Sequence, residues 1–144
     1  MSDVWDGVAE EFLHLYRRGG RLLAVAGADA ERSRTAADAL ADALEARGER
    51  VTRVHADTAD AAALRTEIVA PFREDRASDR VLLVSGPAGL LDGEARGLWN
   101  FTVWQLAGAE RPHTAASALV DLTDPGHPSR RFADYCALPS AYRA

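Results

Sequence analysis

Two short runs, residues 21–26 (RLLAVA) and 80–85 (RVLLVS), are apolar without alternation, and each is followed at once by a glycine. A strand with one wet face alternates apolar and polar side chains, so unbroken runs of this length belong to strands buried on both faces. Such strands form parallel sheets, and parallel neighbours need crossover connections, usually helices. The segments between the runs can supply them. Residues 34–47 carry Ala37, Leu40, Ala41 and Leu44 as one stripe and reach Gly48 as a stop, which predicts a helix. Residues 51–56 (VTRVHA) read as the second strand, and residues 58–72 as a helix with Leu64, Ile68, Val69 and Phe72 on one face. Residues 90–97 have room for a short helical turn. Residues 102–106 (TVWQL) and 118–122 (ALVDL) are the fourth and fifth strands, and the segment between them, with Pro112, is too short for a long crossover helix.

Ahead of the first strand, Val4, Trp5, Val8, Phe12, Leu15 and Tyr16 stand at helical spacing, with Ser2 placed to cap and Gly19-Gly20 to stop the helix. From Asp124 onward, Pro125, Pro128 and Pro139 predict a mostly irregular tail, with at most a turn of helix over residues 130–135. The 144 residues, 47% of them hydrophobic, suffice for one core. The expected fold class is α/β: a three-layer sandwich on a mostly parallel sheet of about five strands, plus an extra amino-terminal helix. The expected organisation is a single domain over residues 1–144, with the amino-terminal helix in 1–20 and the irregular tail in 124–144.

The formal charge is −5, and all 17 basic residues are arginine. Without lysine, Schiff-base chemistry, a lysine general base and a phosphate-gripping lysine are all excluded. Net acidity with only the pairs Arg17-Arg18 and Arg130-Arg131 argues against a nucleic-acid surface. No stretch reaches the roughly 18 to 20 apolar residues that a membrane span needs, and residues 1–6 do not begin a secretory signal, so a cytoplasmic location is expected. The single cysteine, Cys136, rules out an internal disulfide; it is either a nucleophile or simply a small side chain.

Residues 24–44 (AVAGADAERSRTAADALADAL) follow the order apolar strand, glycine loop, helix of small residues and leucine. In this they resemble the uridine kinase-like branch of the P-loop nucleoside kinases, in which the loop reads G-x-x-x-x-G-K-S-T. The register needs no gap: Gly27 takes the first glycine, Arg32 the second, Ser33 the lysine, Arg34 the magnesium-binding serine and Thr35 the threonine. VHADT, VLLVSGPAGLL, LWNFTVW and ALVDLTDPGHP resemble the later strands of that family, so the likeness touches most of residues 21–128. It implies a P-loop NTPase-like fold and, in an active member, ATP, magnesium and transfer of a phosphoryl group, with Asp57 as the acid beside the nucleoside. Two parts depart from the pattern. The family's arginine-rich lid between the fourth and fifth strands has no counterpart here, and the amino-terminal helix is an addition.

A phosphate loop works by pointing successive backbone N–H groups at an anion along a path that glycines permit. Here Arg32 brings a Cβ where a glycine is called for, and Asp29 and Glu31 add negative charge inside the loop. Each carboxylate about 4 Å from a phosphate charge would cost of order 1 to 4 kcal/mol. The residues therefore favour a self-filled loop, in which Asp29 or Glu31 caps the helix, over an unusual phosphate site with Arg34 in the lysine's place. Magnesium would have only Asp57 as a strand-end carboxylate, since Ser85 stands where the third strand should carry an acid.

Other constellations are thinner. His55 near Asp57 is either half of an acid-base pair or an ordinary strand terminus; Ser85 lacks the context of a nucleophile elbow; His14, His113 and His127 have no ligand spacing. Trp99, Phe101 and Trp104, with Trp5, Phe12 and Tyr16, either form a core beneath the amino-terminal helix or an apolar patch for a partner or second copy. The expected function is thus a catalytically inactive P-loop kinase-like protein acting through protein or small-ligand binding, with no cofactor and no metal. The alternative is a nucleotide-dependent phosphotransferase with a non-standard loop.

Overall fold

The computed structural model describes residues 3–74 and 79–131. Cys136, Tyr135 and Ser2 lie outside them. Six strands, β1 (Gly20–Gly27), β2 (Val51–His55), β3 (Arg80–Pro87), β4 (Phe101–Leu106), β5 (Ala118–Asp121) and β6 (Ser129–Arg131), form one sheet in the order β2-β3-β1-β4-β5-β6. All neighbours are parallel except β6, which runs antiparallel to β5. The α/β class and the mostly parallel sheet agree with the apolar runs. The expectation of about five strands falls one short, and Arg130 and Arg131 sit in a strand where at most a turn of helix was expected.

Both faces of the central strands are buried, and residue parity sorts them. Leu23, Val25, Val81, Leu83, Phe101, Val103 and Val120 face α1 (Asp3–Leu15) and α2 (Ala30–Ala46). Leu22, Ala24, Leu82, Val84, Trp104, Leu106 and Leu119 face the helical segment built from α3 (Ala61–Leu64), a π-turn (Arg65–Val69) and α4 (Ala70–Glu74). The 3-10 turns Ala88–Leu91 and Ala95–Leu98 complete that layer. The result is a three-layer sandwich. The aromatic residues divide between the layers: Trp5, Phe12 and Tyr16 pack with Phe101, whereas Trp99 and Trp104 lie on the other side. The expected single aromatic core is therefore two, because Phe101 and Trp104 are three positions apart and must point to opposite faces. Both tryptophans of the second layer are only 8% exposed, so they form no open patch.

The amino-terminal helix is part of the domain core. Phe12 is fully buried and meets Phe101 edge-on at 5.6 Å between ring centroids. At its end the chain turns through Gly19 at φ 81°, a conformation that favours glycine. Arg21 then enters the sheet almost fully buried, bonding the carbonyls of Tyr16 and Gly19 at 3.0 Å each and Glu49 at 2.8 Å. One charge thus ties α1 to the turn before β2, with its donors matched as a buried guanidinium requires.

No described helix is long and apolar enough to cross a membrane. If α1 is core rather than an appendage, Phe12→Ala should lower unfolding free energy in urea by about 3 to 5 kcal/mol. A loss under about 1 kcal/mol would mean that α1 packs only loosely on the sheet.

Candidate functional site

Ligands of open α/β sheets bind beyond the carboxyl ends of the strands, where neighbouring connections diverge. Here that place lies between β1 and β4. From β1 the chain crosses by α2 to β2 at one edge, while β4 is followed by β5 on the other side. The residues gathered there are Gly27, Asp29, Arg32, Ser33, Gln105 and Glu110.

β1 ends at Gly27 because nothing larger fits: a Cβ at this position would overlap the side-chain amide and the backbone carbonyl of Gln105. Only Ala28 and Asp29 separate β1 from α2, so the helix starts four residues before the expected position 34. Arg32, Ser33, Arg34 and Thr35, aligned above with a phosphate loop, all stand in the first turns of α2. Among the described residues no non-glycine has a positive φ, and Arg32 imposes no such strain.

Asp29 is the cap. Its backbone is extended (φ −110°, ψ 109°), and its Oδ1 accepts from the N–H of Glu31 at 3.0 Å and of Arg32 at 3.1 Å. Its carbonyl accepts the first helical hydrogen bond, from Ser33 N at 3.1 Å. This is the self-filled arrangement, with Asp29 rather than Glu31 as the filling group: amides that would face an anion already hold the chain's own carboxylate.

Gln105 completes the closure. It is fully buried on β4, facing α2, and its Nε2 donates to the Asp29 carbonyl at 2.9 Å and to Ser33 Oγ at 3.0 Å. Its Oε1 accepts from Arg32 Nε, and Arg32 Nη2 pairs in turn with Glu110. Glu110 also accepts from the N–H of Ala107 at 3.0 Å. The Arg32 hydrogen bond, helped by that backbone N–H, outweighs burial and holds the Glu110 carboxyl below the usual carboxylate range.

Residues 107–117, between β4 and β5, therefore run as a strap across the strand ends. Glu110 fastens one side. On the other, His113 Nε2 lies 3.0 Å from Asp92, and its ring packs on Trp104 at 5.2 Å. Between them Trp104 Nε1 donates to the Arg111 carbonyl at 3.1 Å.

The remaining expected site residues are not brought together. Arg34 and Thr35 are exposed, and the Thr35 hydroxyl turns back to the Glu31 carbonyl at 3.3 Å. Asp57 is exposed beyond β2, with β3 between that strand and β1. His55 pairs with Ser85 at 2.8 Å instead of with Asp57. Nor is Asp57 the sole strand-end acid, since Asp29 and Glu110 sit at the ends of β1 and β4. Gln105 and Glu110 were missed from the sequence. The available signal was Gln105 itself: a polar side chain inside an apolar strand buried on both faces must find partners.

Gln105→Ala should strand Arg32 Nε, take one hydrogen bond each from the Asp29 carbonyl and the Ser33 hydroxyl, and leave a cavity, lowering stability in urea by about 3 kcal/mol. A cost below about 1 kcal/mol would show that water replaces the amide freely. For Glu110, whose folded pKa is depressed, the stabilisation is complete above its unfolded pKa and lost as pH falls through the folded one. Wild-type stability should therefore fall more steeply than that of Glu110→Gln as pH drops below 4.5, the ordinary value for glutamate. Parallel curves would remove Glu110 from the closure. No protein-family model and no curated protein matches the chain, so the reading of this site rests on its geometry.

Proposed function

We propose that this chain is a catalytically inactive relative of the uridine kinase-like P-loop nucleoside kinases that acts by binding a protein partner or small ligand. The observation that carries the reading is the Asp29 carboxylate on the first amides of α2, locked in place by the Gln105–Arg32–Glu110 chain. A nucleotide's phosphates would have to displace Asp29, separate Arg32 from Glu110 and unwind the first turn of α2 to recover a loop. Each of these steps opposes binding, and Asp29 and Glu110 would remain nearby as like charges. The residues do not fit ATP and magnesium.

The central position of β1, with its carboxyl end leading into a helix through a glycine, supports descent from a phosphate-binding ancestor. The resemblance over residues 21–128 supports the family. Release from catalysis explains why Ser85 and the missing lid are tolerated together: neither serves a reaction that the first loop no longer supports.

Thermal denaturation with magnesium-ATP and with nucleosides tests the proposal. A ligand at about 100 times its dissociation constant adds about 2.7 kcal/mol. We expect no change in melting temperature at millimolar ATP, with or without magnesium. A rise of several degrees that Arg34→Ala abolishes would replace the proposal with the phosphotransferase reading.

A further inference from the structure

The helical segment between β2 and β3 contains Pro71, inside α4. A proline inside a helix lacks an N–H and crowds the carbonyl four residues back, here that of Glu67. The backbone accommodates it with the π-turn Arg65–Val69, in which the Ala70 N–H donates to the Arg65 carbonyl. A π-turn amounts to an α-helix with one residue inserted. On a regular helix Arg65 and Arg73, eight positions apart, would stand about 80° out of phase. The inserted residue makes them equivalent to a pair seven apart, on one face and separated by roughly 10 Å along the axis.

Both arginines line one cleft of about 450 Å³. Its floor is Val69 and Ala70, and Gly97 and Leu98 of the second 3-10 turn form the facing wall. Arg65 and Arg73 are exposed, and among the described residues neither side chain has a hydrogen bond or ion pair. Arg21, Arg32, Arg47 and Arg53, by contrast, are each matched to carboxylates. Among the described residues Glu74 is the single carboxylate in the lining, against two guanidiniums, in a chain of formal charge −5. The volume and apolar floor are those of a small-molecule site. Guanidinium forks at the two ends suit carboxylate or phosphate groups.

We propose that this cleft binds an elongated organic dianion, its apolar middle against Val69, Ala70 and Leu98 and an anionic group on each of Arg65 and Arg73. The cleft lies by the segments that lead into the amino ends of β3 and β4, away from Asp29 and Gln105. It stands or falls independently of the strand-end closure.

Sebacate, a dicarboxylate with an eight-methylene spacer, is the probe, titrated against the whole chain by calorimetry and amide resonances. Saturable binding is expected, with shifts confined to residues 65–73 and 97–98. Decanoate, with one carboxylate, should bind about tenfold more weakly or worse, and Arg65→Gln and Arg73→Gln should each cost about as much for sebacate. Gly97→Phe should weaken binding: Gly97 lines the cleft and has open space beside it, so a ring can be placed there without straining the fold. Unchanged melting temperatures without ligand would show that the three variants remain folded. Sebacate binding no better than decanoate would overturn the proposal in wild type alone, as would no binding at millimolar concentration. Capture of polyglutamate but not sebacate would overturn it too, making the surface one for acidic proteins.

Discussion

The carboxamide of Gln105 is the interaction on which the carboxyl edge of the sheet depends. It is neutral, fully buried, and uses both its donors and its acceptor within the first turn of α2. A charged side chain there would need a counter-ion in a place closed to water, and an apolar one would orphan Arg32 Nε and weaken the hydrogen bonding of the Asp29 carbonyl and Ser33 hydroxyl. Because the amide occupies the space beside β1, position 27 must be glycine. Because its oxygen holds Arg32 Nε, the far side of the guanidinium points to Glu110 and draws residues 107–117 down over the strand ends. One side chain thereby sets the end of β1, the start of α2 and the course of the strap.

The electrostatic demand of a helix amino terminus can be met by a ligand or by the chain itself, and the two answers exclude each other. A phosphate-binding loop keeps its amides free by holding several residues out of the helix. Here Ala28 and Asp29 are the whole connection, the helix claims Ala30 onward, and the macrodipole meets the Asp29 carboxylate with Glu31 next to it. The exposed cap is worth on the order of 1 kcal/mol. What resists opening is its coupling: Asp29 supplies both the cap and the carbonyl that Gln105 and Ser33 bind, so an incoming anion must dismantle the helix start and the buried amide together.

The strands and the α2 and α1 stripes were legible because burial on two faces leaves an unbroken apolar run and burial on one leaves a period. The start of α2 was not. Its apolar stripe begins only at Ala36 and Ala37, and Ser33, though buried, is polar and breaks the pattern. The cap at Asp29 lacks the glutamate three positions on that would complete a capping box, since Arg32 stands there. β6 escaped because an edge strand of three polar or charged residues carries no hydrophobic signal; its pairing with β5 and the Arg130–Glu11 contact at 2.6 Å are set by distant parts of the chain. Likewise the need of Gln105 for partners was readable, but their identity was not, because Asp29, Arg32 and Ser33 lie more than seventy positions away.

Without lysine, every cationic task falls to arginine, and the guanidinium's fixed fork makes each placement directional. Arg21 and Arg32 spend their forks inside the molecule, closing the entry to β1 and the exit from it. Arg53 gathers Asp42 and Glu45 at 3.0 and 2.9 Å along the outer side of α2. Charges so committed cannot attract a ligand without first losing a partner, whereas Arg65 and Arg73 have none to lose among the described residues. At the carboxyl edge, where the fold would ordinarily bind, Asp29, Arg32 and Glu110 at the end of β1 satisfy one another. Arg65 and Arg73 lie at the other edge, aligned on one helix face by the π-turn that precedes Pro71.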